Sequence, residues 1–319
     1  MMPQKEVFYL PSSDGKSRLF CVCWKPDGEI KMVLQVIHGM IEHTGFYEDF
    51  ALFLARQGIA VVGHDHLGHG RTAKEPEDLG FFSGKKGYRC LIKDIHRVRR
   101  YITRRWENIP QFVLGHSMGS FLLRRYLTLF GEGMEGAVLM GTGNPPNVLV
   151  KFGLILASAA SVCLGADYRS ERINTLFRQA MNRKFRPVRT SMDWLTLDER
   201  QVDRFLADEQ CQMLFSCSAY RDLLQMVNDS EHRSLMRRIP KSLPILLISG
   251  REDPVGEFGK GVDRAFGNLK KAGIEDVEML LYPHCRHELV IEKNREQVAE
   301  DILLWMEAKA KNKIAFEKL

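Results

Sequence analysis

Phe112-Val113-Leu114-Gly115-His116-Ser117-Met118-Gly119-Ser120 decides the fold. A short apolar run leads into Gly-x-Ser-x-Gly, and apolar residues then recur at Met118, Leu122, Tyr126, Leu127 and Phe130 with helical spacing. The pattern predicts a strand, a sharp turn and a helix running to Phe130. Such a turn holds Ser117 in a strained conformation with its hydroxyl above the sheet, while Gly115 and Gly119 keep Cβ atoms out of the tight strand-helix approach.

A nucleophilic serine needs a base, and the base needs an orienting acid. Leu243 to Gly250 reads as a buried strand, and Arg251-Glu252-Asp253-Pro254-Val255 places carboxylates just past its end. Val277 to Tyr282 reads as another strand, followed by Pro283-His284-Cys285-Arg286-His287-Glu288. Each late strand thus delivers a polar group to its C-terminal edge, where parallel-sheet folds put their chemistry. Asp253 is preferred as the acid because one residue's shift turns Glu252 away. Between His284 and His287 the residues alone leave the choice open.

Two further stretches join the serine motif: His38-Gly39-Met40-Ile41-Glu42-His43-Thr44-Gly45-Phe46-Tyr47 and His64-Asp65-His66-Leu67-Gly68-His69-Gly70-Arg71-Thr72. With them the chain resembles α/β-hydrolases of the monoacylglycerol lipase and lysophospholipase-like group, which also takes in serine aminopeptidase-like sequences. The resemblance implies a mostly parallel central sheet flanked by helices, with an inserted helical cap. It implies Ser117 as nucleophile, Asp253 as acid and His287 as base, in the family's Ser, Asp, His chain order. One oxyanion donor is the N–H of Met118, the residue after the nucleophile, and by resemblance the other is the N–H of Met40, with His38 and Gly39 shaping that turn. Two departures occur: Thr72 stands where the family usually has Ser, and Ser120 where a further Gly is common. Neither removes a catalytic group, and the matches cover both ends of the catalytic core but not the middle.

Composition narrows the function classes. A chain of 319 residues with 45% hydrophobic content can bury a large core, which favours one catalytic domain with an insertion. The net charge of +6 is modest, and Lys and Arg interleave with acids, so nucleic acid is not an expected partner. Met1 to Leu10 lacks the apolar core of a secretory signal. Seven cysteines form no Cys-x-x-Cys pair, and Cys21 and Cys23 share one side of a strand as packing residues, so a reducing cytoplasm is the default. His64, His66 and His69 invite a metal reading, but Asp65 lies between the first and second His. Metallo-hydrolases of the His-x-His-x-Asp-His type place it between the second and third. The expectation is a polar loop, with no metal and no cofactor.

Other periodicities fill in the frame. Phe8 to Leu10, Leu19 to Trp24, Val33 to Ile37, Ile59 to Gly63 and Ala137 to Met140 read as strands, and Phe46 to Gln57 as a helix stopped by Gly58. Gly84 to Trp106 carries Leu91, Ile95, Val98 and Ile102 on one helical face, leaving Arg97, Arg99, Arg100, Arg104 and Arg105 largely on a solvated one. Glu292 to Lys313 closes the domain as a helix with Val298, Ile302, Trp305 and Met306 buried. Strand-helix alternation stops at Asn144-Pro145-Pro146 and resumes near Pro240, which divides the chain into a core of residues 1–145 and 235–319 and a helical cap of residues 146–234.

Within that cap, Phe152 to Ala166 is uncharged but shorter than the roughly 20 apolar residues a bilayer span needs. It reads as a cap helix that lines an acyl pocket or rests transiently on a membrane surface, or is simply packed. The expected partner is a small-molecule ester or lipid, and the oligomeric state is not legible. The expected activity is hydrolysis of single-chain esters such as monoacylglycerol or lysophospholipid through an acyl-enzyme. A serine aminopeptidase or amidase on the same triad is the alternative, and a non-catalytic hydrolase-fold binding protein the third class.

Overall fold

Five apolar strands with little polar relief can only be covered on both faces, and a parallel sheet does this. The computed structural model describes residues 3–84 and 87–316. Its eight strands are β1 (Gln4–Pro11), β2 (Arg18–Lys25), β3 (Met32–Ile37), β4 (Ile59–His64), β5 (Gln111–His116), β6 (Gly136–Met140), β7 (Ile245–Gly250) and β8 (Val277–Tyr282). They lie in the order β1-β2-β4-β3-β5-β6-β7-β8. β1 with β2 and β2 with β4 are antiparallel, and every other pair is parallel. Every residue of β3 to β7 is buried, whereas edge strand β1 is half wet.

Successive side chains feed opposite cores. Phe112, Leu114, Leu246 and Ile248 pack toward α1 (Glu48–Arg56) and the final helix, Arg295–Phe316. Val113, Ile245 and Leu247 pack with Leu91 and Ile95 of α2 (Gly87–Arg105) and Leu122 and Leu123 of α3 (Met118–Phe130). On the first face Leu54, Ile302 and Met306 are fully buried, each worth about 1.5–3 kcal/mol of transfer free energy.

Between β6 and β7 run α4 (Asn147–Cys163), α5 (Glu171–Asn182), α6 (Glu199–Ala207), α7 (Cys217–Ser230) and α8 (Arg233–Met236). α4 lies against α7, which in turn packs on α2 and α3. The fully buried Arg124 of α3 ties this region down, donating to the carbonyls of Gly143 at 2.9 Å and Ser230 at 3.1 Å. In α4 only Val150 and Ser161 are buried, and Phe152, Ile155, Leu156 and Val162 are 54–84% exposed. Among the described residues no helix is long and apolar enough to cross a membrane.

The strands fall within a few residues of the sequence reading, and Cys21 and Cys23 are both fully buried on one face beside Leu19 and Val62. Lys85 and Lys86, at the expected start of α2, lie outside the described residues. Two corrections are needed. Arg99 is buried rather than solvated, its guanidinium bonded to the Gly133 carbonyl at 2.5 Å, and Arg105 forms a two-pronged pair with Glu6 at 2.8 and 2.7 Å. Helix α9 (Lys260–Lys271) was not read from the sequence, although Val262, Ala265, Phe266 and Leu269 carry its spacing. With it, the final helix, Arg295–Phe316, becomes α10.

Two glycines respond oppositely to a methyl group. A Cβ on Gly119 would lie 2.1 Å from the Ile37 carbonyl oxygen, whereas one on Gly267 in α9 meets nothing within 4 Å. Gly119→Ala is expected to lower the melting temperature by many degrees or abolish soluble expression. Gly267→Ala should raise stability by about 0.5–1 kcal/mol through the lost backbone entropy of glycine, and thermal melts of the two variants check both signs.

Candidate active site

At the end of β5 the chain reverses into α3 through Ser117, whose φ of 50° and ψ of −118° lie outside the conformations an L-residue prefers. The turn is held from both sides. Ser117 N–H donates to the Met140 carbonyl at 2.9 Å, and its own carbonyl accepts the Ser120 N–H at 2.9 Å and the Ser120 hydroxyl at 2.6 Å. Ser120 is thus accommodated as a buried helix-start hydroxyl. A Cβ on Gly115 would sit 2.4 Å from the Gly119 carbonyl oxygen, so the strand and helix touch there backbone to backbone.

The loop after β7 supplies Asp253 and the loop after β8 supplies His287, both buried. His287 Nδ1 lies 3.0 Å from Asp253 Oδ2. The same carboxylate accepts the Val255 N–H at 2.8 Å and the Ser249 hydroxyl at 3.1 Å. Because the carboxylate only accepts, the hydrogen in this contact is carried by His287 Nδ1. The rival residues face each other instead: His284 and Glu252 stand 3.6 Å apart, with side chains 89% and 38% exposed.

Met40, Ser117, Met118 and His287 all line one cavity of about 740 Å³. Its other walls are mostly apolar: Phe121, Leu149, Val150, Phe177, Met181, Leu223, Val227 and Val255, with the Trp194 ring centred 5.0 Å from the His287 ring and tilted 36° to it. The expectation that Phe152 to Ala166 lines the pocket is corrected here. α4 contributes Leu149 and Val150 to the wall, whereas Phe152, Ile155, Leu156 and Val162 face outward and α7 packs along the inner side of the helix.

The loop after β4 is a folded polar plug. Asp65 accepts the Thr44 N–H and hydroxyl and the Arg71 N–H at 2.7–2.9 Å. His38 Nε2 accepts the His66 N–H at 2.9 Å, so its Nδ1–H donates to the Gly39 carbonyl at 2.8 Å. Burial pulls His64 down to about 3 and His69 to about 4, leaving both neutral. Among the described residues, His64, His66 and His69 do not bring three donor atoms within 4.8 Å of one another; His43, Asp208 and Cys211 do, as do His116, His287 and Glu288.

The family model for serine aminopeptidase, S33, matches residues 28–294. The chain belongs to that family. It is similar to the human monoglyceride lipase, at 26% identity over 94% of this chain and 89% of that protein. A monoacylglycerol lipase of Mycolicibacterium smegmatis is 25% identical over 92% and 94%. Among solved structures, a thermostable carboxyl esterase from Bacillus coagulans superposes with a TM-score of 0.89 at 26% identity, covering 96% of this chain and 99% of its own. A monoglyceride lipase from Saccharomyces cerevisiae shares the fold, with a TM-score of 0.77 at 18% identity and 97% and 96% coverage.

Beneath Ser117 this family member buries a charge cluster that the sequence reading missed. His116 Nδ1 lies 2.9 Å from Glu42 Oε1 and 3.5 Å from Glu288 Oε1, and its Nε2 lies 3.3 Å from the His287 carbonyl oxygen. Both ring nitrogens face acceptors, so both carry protons and the ring is an imidazolium. Burial would lower its pKa, but Glu288 and Glu42 outweigh that and raise it to about 9. Burial pushes Glu288 up to about 8, helped by the Glu42 charge, whereas Glu42 stays below the ordinary carboxylate value because His116 outweighs its burial. No periodicity announces such a cluster. The available signal was two acids and a histidine inside the quoted stretches.

This cluster sets a pH dependence. The folded Glu288 and His116 keep protons that the unfolded chain releases around 4.5 and 6.5. Their stabilisation is complete below those ordinary values and is lost as pH climbs through about 8 and about 9. The melting temperature should therefore fall between pH 7 and 9.5, and Glu288→Gln should make that fall shallower. Thermal melts across the range check it.

Proposed function

We propose that this chain hydrolyses esters of single-acyl-chain lipids, such as monoacylglycerols or lysophospholipids, through an acyl-enzyme on Ser117. The chain is a carboxylic ester hydrolase. The observation carrying the finer reading is the mostly apolar cavity of about 740 Å³ onto which Ser117 and His287 open. In this reading residues 1–145 and 235–319 form the catalytic core and residues 146–234 the cap that closes the cavity.

Ser117 attacks the ester carbonyl while His287 Nε2 takes its proton, and Asp253 stabilises the imidazolium and its orientation. The N–H groups of Met40 and Met118 hold the oxyanion. His287 then gives its proton to the departing alcohol, activates a water and returns the proton to Ser117 as the acid leaves. Ser117→Ala should reduce ester turnover by roughly three to six powers of ten and abolish labelling by a fluorophosphonate probe, with the melting temperature little changed. Asp253→Asn should also cost orders of magnitude, while Glu252→Gln should cost little; a reversed pair would reassign the acid.

Chain-length preference follows from the cavity walls. Each buried methylene is worth about 0.8 kcal/mol, or roughly fourfold, until the space is full. The exposed apolar face of α4 suits transient contact with a lipid surface. Leu156→Asp should depress turnover of vesicle-borne monoacylglycerol while sparing a soluble acetyl ester, and parallel kinetics on the two substrates check it. The family description supports a second reading, an aminopeptidase or amidase. A panel of p-nitrophenyl esters of rising length beside aminoacyl anilides separates the two, and preferred cleavage of the anilides would overturn the lipid reading. Seven cysteines without a disulfide partner fit a reducing cytoplasm.

A further inference from the structure

The putting-together of one strained loop, one elbow and one base-bearing loop needs a common anchor. Met40, assigned above to the oxyanion, is followed by Ile41 at φ 55°, a left-handed conformation that a β-branched residue adopts only under constraint. Glu42 supplies the constraint: its Oε1 accepts the Gly39 N–H, the Tyr47 hydroxyl at 3.0 Å and His116 Nδ1 at 2.9 Å. Gly39 is pressed so closely into this arrangement that a Cβ there would stand 2.6 Å from Glu42 Oε1 and 3.0 Å from Ser117 Cβ. On its other side the His116 ring donates to the carbonyl of His287 itself.

We propose that the Glu42–His116 ion pair is a positioning clasp, which holds the Met40 N–H and the His287 ring in register with Ser117 for the transition state. The proposal rests on the reading of Ser117, His287 and Met40 given above. The clasp touches no substrate atom, because Glu42 and His116 are buried and neither reaches the cavity wall. Its effect is therefore on geometry. A displacement of about 1 Å in such a group costs up to about a hundredfold in rate, and it falls on kcat rather than KM because the ester's apolar contacts are untouched.

Glu42→Gln keeps an acceptor oxygen for Gly39 and Tyr47 but removes the charge, and Tyr47→Phe removes one supporting hydrogen bond while leaving the pair. With p-nitrophenyl butyrate, Glu42→Gln should lower kcat by about ten- to a hundredfold with KM within twofold. Tyr47→Phe should lie between it and the wild type. A trifluoromethyl ketone that forms a tetrahedral adduct on Ser117 should bind weaker by the same factor as kcat/KM falls, a readout that a merely structural role would not move. The double variant Glu42→Gln with His116→Asn should be no slower than the worse single variant, since the two act as a unit.

Wild-type kcat in a folded Glu42→Gln, a loss confined to KM, or unchanged ketone affinity alongside reduced kcat would each overturn the clasp. If Glu42→Gln does not fold, the same comparison on Tyr47→Phe decides, with unchanged kcat and ketone affinity counting against it. Ser117→Ala run alongside separates the two levels: a Ser117→Ala enzyme that still turns over defeats the site assignment, whereas an inactive one beside a fully active Glu42→Gln defeats only the clasp.

Discussion

Backbone contact at the start of α3 is the constraint on which the rest of the site depends. The helix begins so near the end of β3 that the missing side chain of Gly119 leaves room only for the carbonyls of Ile37 and His38. That approach places the loop after β3 beside the elbow after β5, and the parallel order of the sheet then brings the loops after β7 and β8 to the same edge. A topology with any of these strands reversed would put its polar group at the opposite end of the sheet. The two cores beneath hold this arrangement against the strain stored at Ser117 and Ile41.

Burying a cation and two carboxyl groups under Ser117 is not a cheap way to stabilise a fold. Charged pairs removed from water often contribute less than apolar residues of the same volume, because desolvation offsets most of their attraction. His116 nonetheless lies fully buried between Glu42 and Glu288, with one of the two carboxyl groups keeping its proton so that the cluster nears neutrality. An apolar replacement would fill the space but would not fix directions. Hydrogen bonds to Gly39, Tyr47 and the His287 carbonyl do fix them, and direction is what a strained loop lacks.

Much of the sheet was legible because buried parallel strands have a simple signature. Val33 to Ile37 and Leu243 to Gly250 are apolar runs bounded by turns, and both became central strands. The serine elbow was legible because a turn that tight tolerates few residues besides glycine at Gly115 and Gly119. What periodicity could not show was partnership across space. Arg99 sits on the flank of the α2 stripe, four residues after Ile95 and three before Ile102, and is buried with the Gly133 carbonyl facing it from a distant loop. Phe152 to Ala166 looked like pocket lining because it is apolar, but apolarity does not say which side of a helix is covered, and α7 covered the side carrying Val150. Glu42 and Glu288 were within the quoted motifs, and only the fold shows that both converge on one ring.

α4 has two apolar populations, an inner one at Leu149 and Val150 on the cavity wall and an outer one at Phe152, Ile155 and Val162 facing water. One helix thus carries apolar side chains both to the cavity wall and to water, so any change in its pose would alter the two surfaces together.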